Sequence, residues 1–96
     1  MANLKKGHVW IIDTVGTISL ENEIVKTIRW VGTGGGAGGA EIVDTKTAAV
    51  VWAARAAAGE ISEESNVWDL HLSEGFSVPT LLASTKLYVY LTVGYK

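Results

Sequence analysis

The chain has 96 residues, 48% of them hydrophobic and 19% charged, with eight basic against ten acidic residues and no cysteine. A net charge of −2 and a pI near 5.6 argue against general attraction to nucleic acid or anionic lipid. Without cysteine there are no disulfides, thiolate metal sites or thiol nucleophiles. The length suits one domain spanning 1–96. It is too apolar for disorder, yet no apolar run approaches the roughly 20 residues of a membrane span. The start of the chain carries the basic pair Lys5-Lys6 but not the apolar stretch of a signal peptide, and residues 1–7 are expected as a flexible arm.

Short β-type runs separated by turn signals follow. Val9-Trp10-Ile11-Ile12 is rich in β-branched and aromatic residues, and Asp13-Thr14-Val15-Gly16 ends it. Thr17-Ile18-Ser19-Leu20 alternates, and Glu21-Asn22-Glu23 reads as a polar turn. Residues 24–31 form a strand with Ile24, Ile28 and Trp30 on one face and Val25, Thr27, Arg29 and Val31 on the other. Six glycines between positions 32 and 39 predict a long flexible loop. A strand resumes at Ala40-Glu41-Ile42-Val43, with Asp44-Thr45-Lys46-Thr47 as a hairpin turn.

Residues 48–58 are ambiguous. Their alanines and Arg55 favour a helix that Asp44 or Thr45 would cap and Gly59 would end. Val50-Val51-Trp52 is β-prone and would pair back across a tight turn, so the hairpin is preferred and one short helix is the alternative. The acidic stretch 60–66 reads as a solvated loop. In 67–72, Trp68, Leu70 and Leu72 oppose Val67, Asp69 and His71. Residues 75–82 carry the only proline, which predicts an edge strand or extended loop. The final run, 87–93, alternates most clearly, with Leu87, Val89, Leu91 and Val93 inward and Tyr88, Tyr90 and Thr92 outward. Together these runs predict an all-β fold, a small antiparallel sandwich or barrel, with Ile11, Ile28, Trp30, Leu70, Val89 and Leu91 in one core.

No catalytic constellation emerges, and the chain is expected not to be an enzyme. Gly34-Gly35-Gly36-Ala37-Gly38-Gly39 fits G-x-G-x-x-G formally. A strand rather than a helix follows it, so the pyrophosphate-binding geometry is missing and no cofactor is expected. Asp69 and His71 stand two apart without a third nearby ligand, and no serine lies in G-x-S-x-G. Four tryptophans fall within apolar strand patterns, which places most of them in the core. Tyr88 and Tyr90, opposite the inward leucines, are the better interface candidates. Lys5 and Lys6 on the expected arm join them. Basic residues do not interleave with these aromatics, against a single-stranded nucleic-acid surface.

Three strings in order carry a resemblance: 9–16 (VWIIDTVG), 25–32 (VKTIRWVG) and 75–81 (GFSVPTL), followed by Leu87-Tyr88-Val89-Tyr90. Together they resemble small virion structural proteins of tailed bacteriophages, compact all-β proteins of which several decorate or cement the capsid. The resemblance implies a capsid decoration or cement protein bound to the major capsid protein, made in the host cytoplasm and located on the virion. A tail, neck or fibre-base protein and a small carbohydrate-binding β-domain are the alternatives. Self-association is expected through an open final strand at 87–93, most simply as a trimer, with neither nucleic acid nor membrane as partner.

Overall fold

The computed structural model describes residues 3–92. Nine strands are formed and, among the described residues, no helix: β1 (Leu4–Lys6), β2 (Val9–Ile12), β3 (Gly16–Thr17), β4 (Glu23–Gly34), β5 (Gly38–Asp44), β6 (Val50–Ala56), β7 (Gly59–Leu72), β8 (Phe76–Leu81) and β9 (Thr85–Leu91). They make two antiparallel sheets, ordered β1-β2-β9-β4-β7 and β3-β8-β5-β6. One core joins the sheets. Ile12, Val25, Ile28, Trp30, Leu72, Leu87 and Val89 from the first meet Ala40, Ile42, Trp52, Phe76 and Val78 from the second. The result is a compact, sandwich-like all-β domain. The Trp10 and Phe76 rings meet edge to face across the layers, centroids 6.3 Å apart.

Residues 48–58 resolve as the hairpin, with β5 and β6 paired from Gly38↔Ala56 to Val43↔Val50. Asp44 fixes the turn. Its backbone carbonyl accepts from the Ala48 N–H at 2.8 Å, and its carboxylate accepts from the Lys46 N–H at 3.0 Å. Local alanine propensity gives way to cross-strand pairing. The inward set of the last strand is as expected for Leu87, Val89 and Leu91, all buried, with Tyr88 and Tyr90 half-buried opposite them. Val93 lies outside the described residues.

Several expectations are overturned. The glycine tract is not a long loop: β4 runs to Gly34, β5 begins at Gly38, and only 35–37 connect them. The glycines serve close approach instead. A Cβ on Gly34 or Gly38 would come within 2.7 or 2.6 Å of the Leu82 side chain, which lies over this hairpin end. The acidic stretch 60–66 is not a loop either but the first half of β7, paired with β4 from Gly34↔Gly59 to Thr27↔Asn66.

Face assignments change at one point on β4. The register shifts between Val25 and Thr27 against both neighbours. One extra residue reverses the alternation, so Val25 joins Ile28 and Trp30 in the core while Ile24 is only half-buried. In β2 Ile12, not Ile11, is the core residue, because Ile12 pairs with inward Leu87 and Ile11 with outward Tyr88. Leu70 packs at the margin of the core.

The edges also differ from expectation. The last strand is interior, between β2 and β4, and so cannot supply an open edge. Residues 75–82 hold an interior strand too, since β8 lies between β3 and β5. Pro79 fits there because β3 pairs only with Ser77 and Val78, and the β5 register is irregular between Glu41↔Thr80 and Val43↔Ser77. Residues 4–6 of the expected arm form β1, paired with β2 from Leu4↔Ile11 to Lys6↔Val9. Asn3 anchors that start. Its side-chain oxygen accepts from the Asp13 and Thr14 N–H groups at 2.8 and 3.0 Å.

Candidate interaction surface

Alternation turns one face of the five-stranded sheet away from the core. Pairing aligns its side chains in rows: Val9, Tyr90, Thr27 and Asn66 in one, and Ile11, Tyr88, Arg29 and Glu64 in the next. Tyr88 thus stands directly opposite Ile11 and Arg29, and Tyr90 opposite Val9 and Thr27. The Thr27 hydroxyl donates to Asn66 Oδ1 at 3.0 Å, which fixes the far end of the first row. A groove of about 540 Å³ crosses this face, walled by Tyr88, Tyr90, Arg29, Val31, Glu60 and Ser62. Half-buried aromatics stand here beside a cation, an anion and hydroxyls, so apolar area and directional polar groups share one surface.

Both tyrosines therefore lie on one wall of the groove. The lysines separate. Lys6 is exposed and pairs opposite Val9, on the same outer face as Leu4. Lys5 instead leans toward the core side, its Nζ 3.8 Å from Glu23 Oε1 and 5.7 Å from the Trp10 ring centroid.

Two features of the structure are not foreseen by the sequence pattern. The first is Glu23, expected in a turn but only 4% exposed at the start of β4. Its Oε2 accepts from Ser19 Oγ at 2.8 Å and from Trp10 Nε1 at 3.2 Å, so hydrogen bonds and the Lys5 ammonium compensate the buried carboxylate. The second is Trp68. Alternation sets it on one face with Leu70 and Leu72, but it is 70% exposed, with φ at +50°. Between Thr27↔Asn66 and Val25↔Leu70, residues 67–69 of β7 stand against Lys26 alone. Two surplus residues push the strand outward and carry the indole into solvent. A bulky side chain in left-handed backbone is an outlier, and such strain concentrates where a protein acts. The pattern of apolar residues holds no signal for it, because the bulge that reverses Trp68 is set by pairing.

His71 stands opposite Ile24 and, with His8, Lys5 and Glu23, borders a cavity of about 330 Å³. The Asp69 side chain lies outside the described ones. Among the described residues no three histidine, aspartate or glutamate side chains are placed to hold a metal ion. The chain matches no protein-family model, no curated protein and no solved structure.

Proposed function

We propose that the chain is a non-enzymatic structural protein of a tailed-phage virion, a decoration or cement protein that binds the major capsid protein lattice and stabilises the head. Trp68 carries this reading: an indole 70% exposed on strained backbone at a sheet edge is poised for burial against a partner. The outer face with Tyr88 and Tyr90 supplies the surrounding contact area, and the ordered phage-like strings supply the address. Apolar and aromatic contacts would dominate, so binding is expected to survive high salt.

The test is co-sedimentation of the purified chain with heads lacking it, at low and at 0.5 M-scale salt. Pelleting that persists in salt and drops about tenfold or more for Trp68→Asn is expected, in the range of a hot-spot residue. Failure to pellet with any head, tail or neck component overturns the reading. Copy number per particle separates the head from the other addresses: hundreds of copies mark a capsid protein, six or twelve a tail or neck ring.

The groove favours a second reading, a small carbohydrate-binding domain, because Tyr88 and Tyr90 flank Arg29 and Glu60 in a concave site. A glycan array on wild type and on Tyr88→Ala discriminates the two.

A further inference from the structure

We propose that copies of this chain associate head to tail, strand β1 of one copy adding to strand β7 of the next, so that the five-stranded sheet continues from chain to chain. Among the described residues these strands are the two edges of that sheet, and each presents unpaired backbone groups to a further strand. Their charges are opposite. β1 is Leu4-Lys5-Lys6, while the first half of β7 carries Glu60, Glu63 and Glu64.

The direction of the strands fits as well. Four successive antiparallel pairings lead from β1 through β2, β9 and β4 to β7, so the two edges run the same way. A second copy displaced along the sheet, outer face still outward, therefore brings its β1 parallel to the first copy's β7. In the parallel register that sets Lys6 opposite Glu64, Lys5 falls opposite Glu63. Lys6 and Glu64 belong to the outer face, Lys5 and Glu63 to the core side. One register thus satisfies both pairs by sign and by face.

Symmetric alternatives fail on the same ground. Two copies of β7 paired about a twofold axis over the regular half before the bulge would bring the glutamates of one strand up to those of the other, and two copies of β1 would oppose their lysines. Like charges opposed across strands are unfavourable. The contact is consequently heterologous, which yields a ring where the rotation closes and a filament where it does not. A junction limited by the three residues of β1 buries less than the roughly 1,200 Å² of a stable interface. Each contact is weak alone and gains from ring closure or from a lattice that lines the copies up. None of this depends on the virion reading.

Carbodiimide coupling of the purified full chain at low salt and high protein concentration tests it, with the joined peptides identified by mass spectrometry. Within one chain Lys6 and Glu64 are separated by four strand spacings, about 19 Å, so a zero-length link between them joins two chains. The expected main interchain product joins Lys5 or Lys6 to Glu63 or Glu64. Lys6→Glu and Glu64→Lys should each lower that yield by about fivefold or more, as attraction becomes repulsion. The chain carrying both substitutions should recover it. Glu64→Lys also places a cation opposite Arg29, so thermal melts accompany each variant, and the double variant retains the same Arg29 neighbour. Interchain links spread equally over Lys26, Lys46 and Lys86, an absence of interchain product, or a double variant as poor as the single ones would each overturn the proposal.

Discussion

Strands β9 and β7 lie in the same sheet, on either side of β4, yet they obey different rules. In β9 every second residue is buried, from Thr85 through Leu87 and Val89 to Leu91, and two neighbours fix its register. In β7 the positions alternate only in part. Ile61 and Leu72 are buried, while Glu63, which pairs with fully buried Trp30, is itself exposed at the rim. An interior strand is constrained from both sides and by the layer above it. An edge strand has one partner, and its outer row is free to carry charge, bulges and strain. The regular buried row therefore lies in β9, and the exposed charges and the strained tryptophan lie in β7.

The sharpest way to break that contrast is at Trp30. Its indole is fully buried, and its Nε1 donates to Thr85 Oγ1 at 3.0 Å, tying β4 to β9. Trp30→Ala opens a cavity and takes the indole donor from the Thr85 hydroxyl, and should cost about 3–5 kcal/mol by urea denaturation. For a domain of ordinary stability, about 5–15 kcal/mol, that is a fifth of the total or more. A loss below about 1 kcal/mol would mean that the core is not organised around this pair of strands.

Glu23 tests the start of β4, where a charged group is enclosed. Glu23→Ala removes the acceptor shared by Ser19 and Trp10 and the anion beside Lys5. Leaving two donors without their partner should cost about 1–3 kcal/mol. Glu23→Gln keeps an acceptor oxygen and should cost less, and the difference between the two variants in thermal melts reports the share due to charge. Equal melting for Glu23→Ala and wild type would show the carboxylate to be solvated rather than enclosed.

What the sequence made legible follows the same division. The final strand could be read because leucine and valine alternate with tyrosine, and that alternation is the imprint of a half-buried surface. The hairpin at 44–50 could be read from Asp44 and its turn. The glycine tract could not, because the reason for glycine there is the Leu82 side chain, some 45 residues away in sequence and invisible locally. The acidic start of β7 looked like a loop because an edge strand needs only Ile61 on its core side. Tyr88 and Tyr90 were placed correctly by alternation alone. Trp68 and Glu23 were not. One depends on two surplus residues opposite Lys26, the other on donors brought from Ser19 and Trp10.

The smallest effect expected is also the most specific to the edge, and it reverses sign. Trp68 sits at φ +50°, a region that costs an L-residue of this bulk roughly 1–2 kcal/mol. Asparagine visits that region readily. The indole is 70% exposed, so replacing it gives up little buried area. Strain relief should then outweigh the lower strand propensity of asparagine, and Trp68→Asn should stabilise the domain by about 0.5–1 kcal/mol. In a domain of this size that raises the melting temperature by a few degrees. Trp68→Gly relieves the same strain but widens the unfolded ensemble, so it should fall between wild type and asparagine. Fluorescence supplies the independent check. Trp30 and Trp52 are buried, and losing the solvated indole should shift the emission to shorter wavelength. A destabilised Trp68→Asn with unchanged emission would place the ring against the protein after all. A more stable variant that no longer binds its partner would mean that the edge keeps a strained tryptophan for recognition, at the expense of the fold.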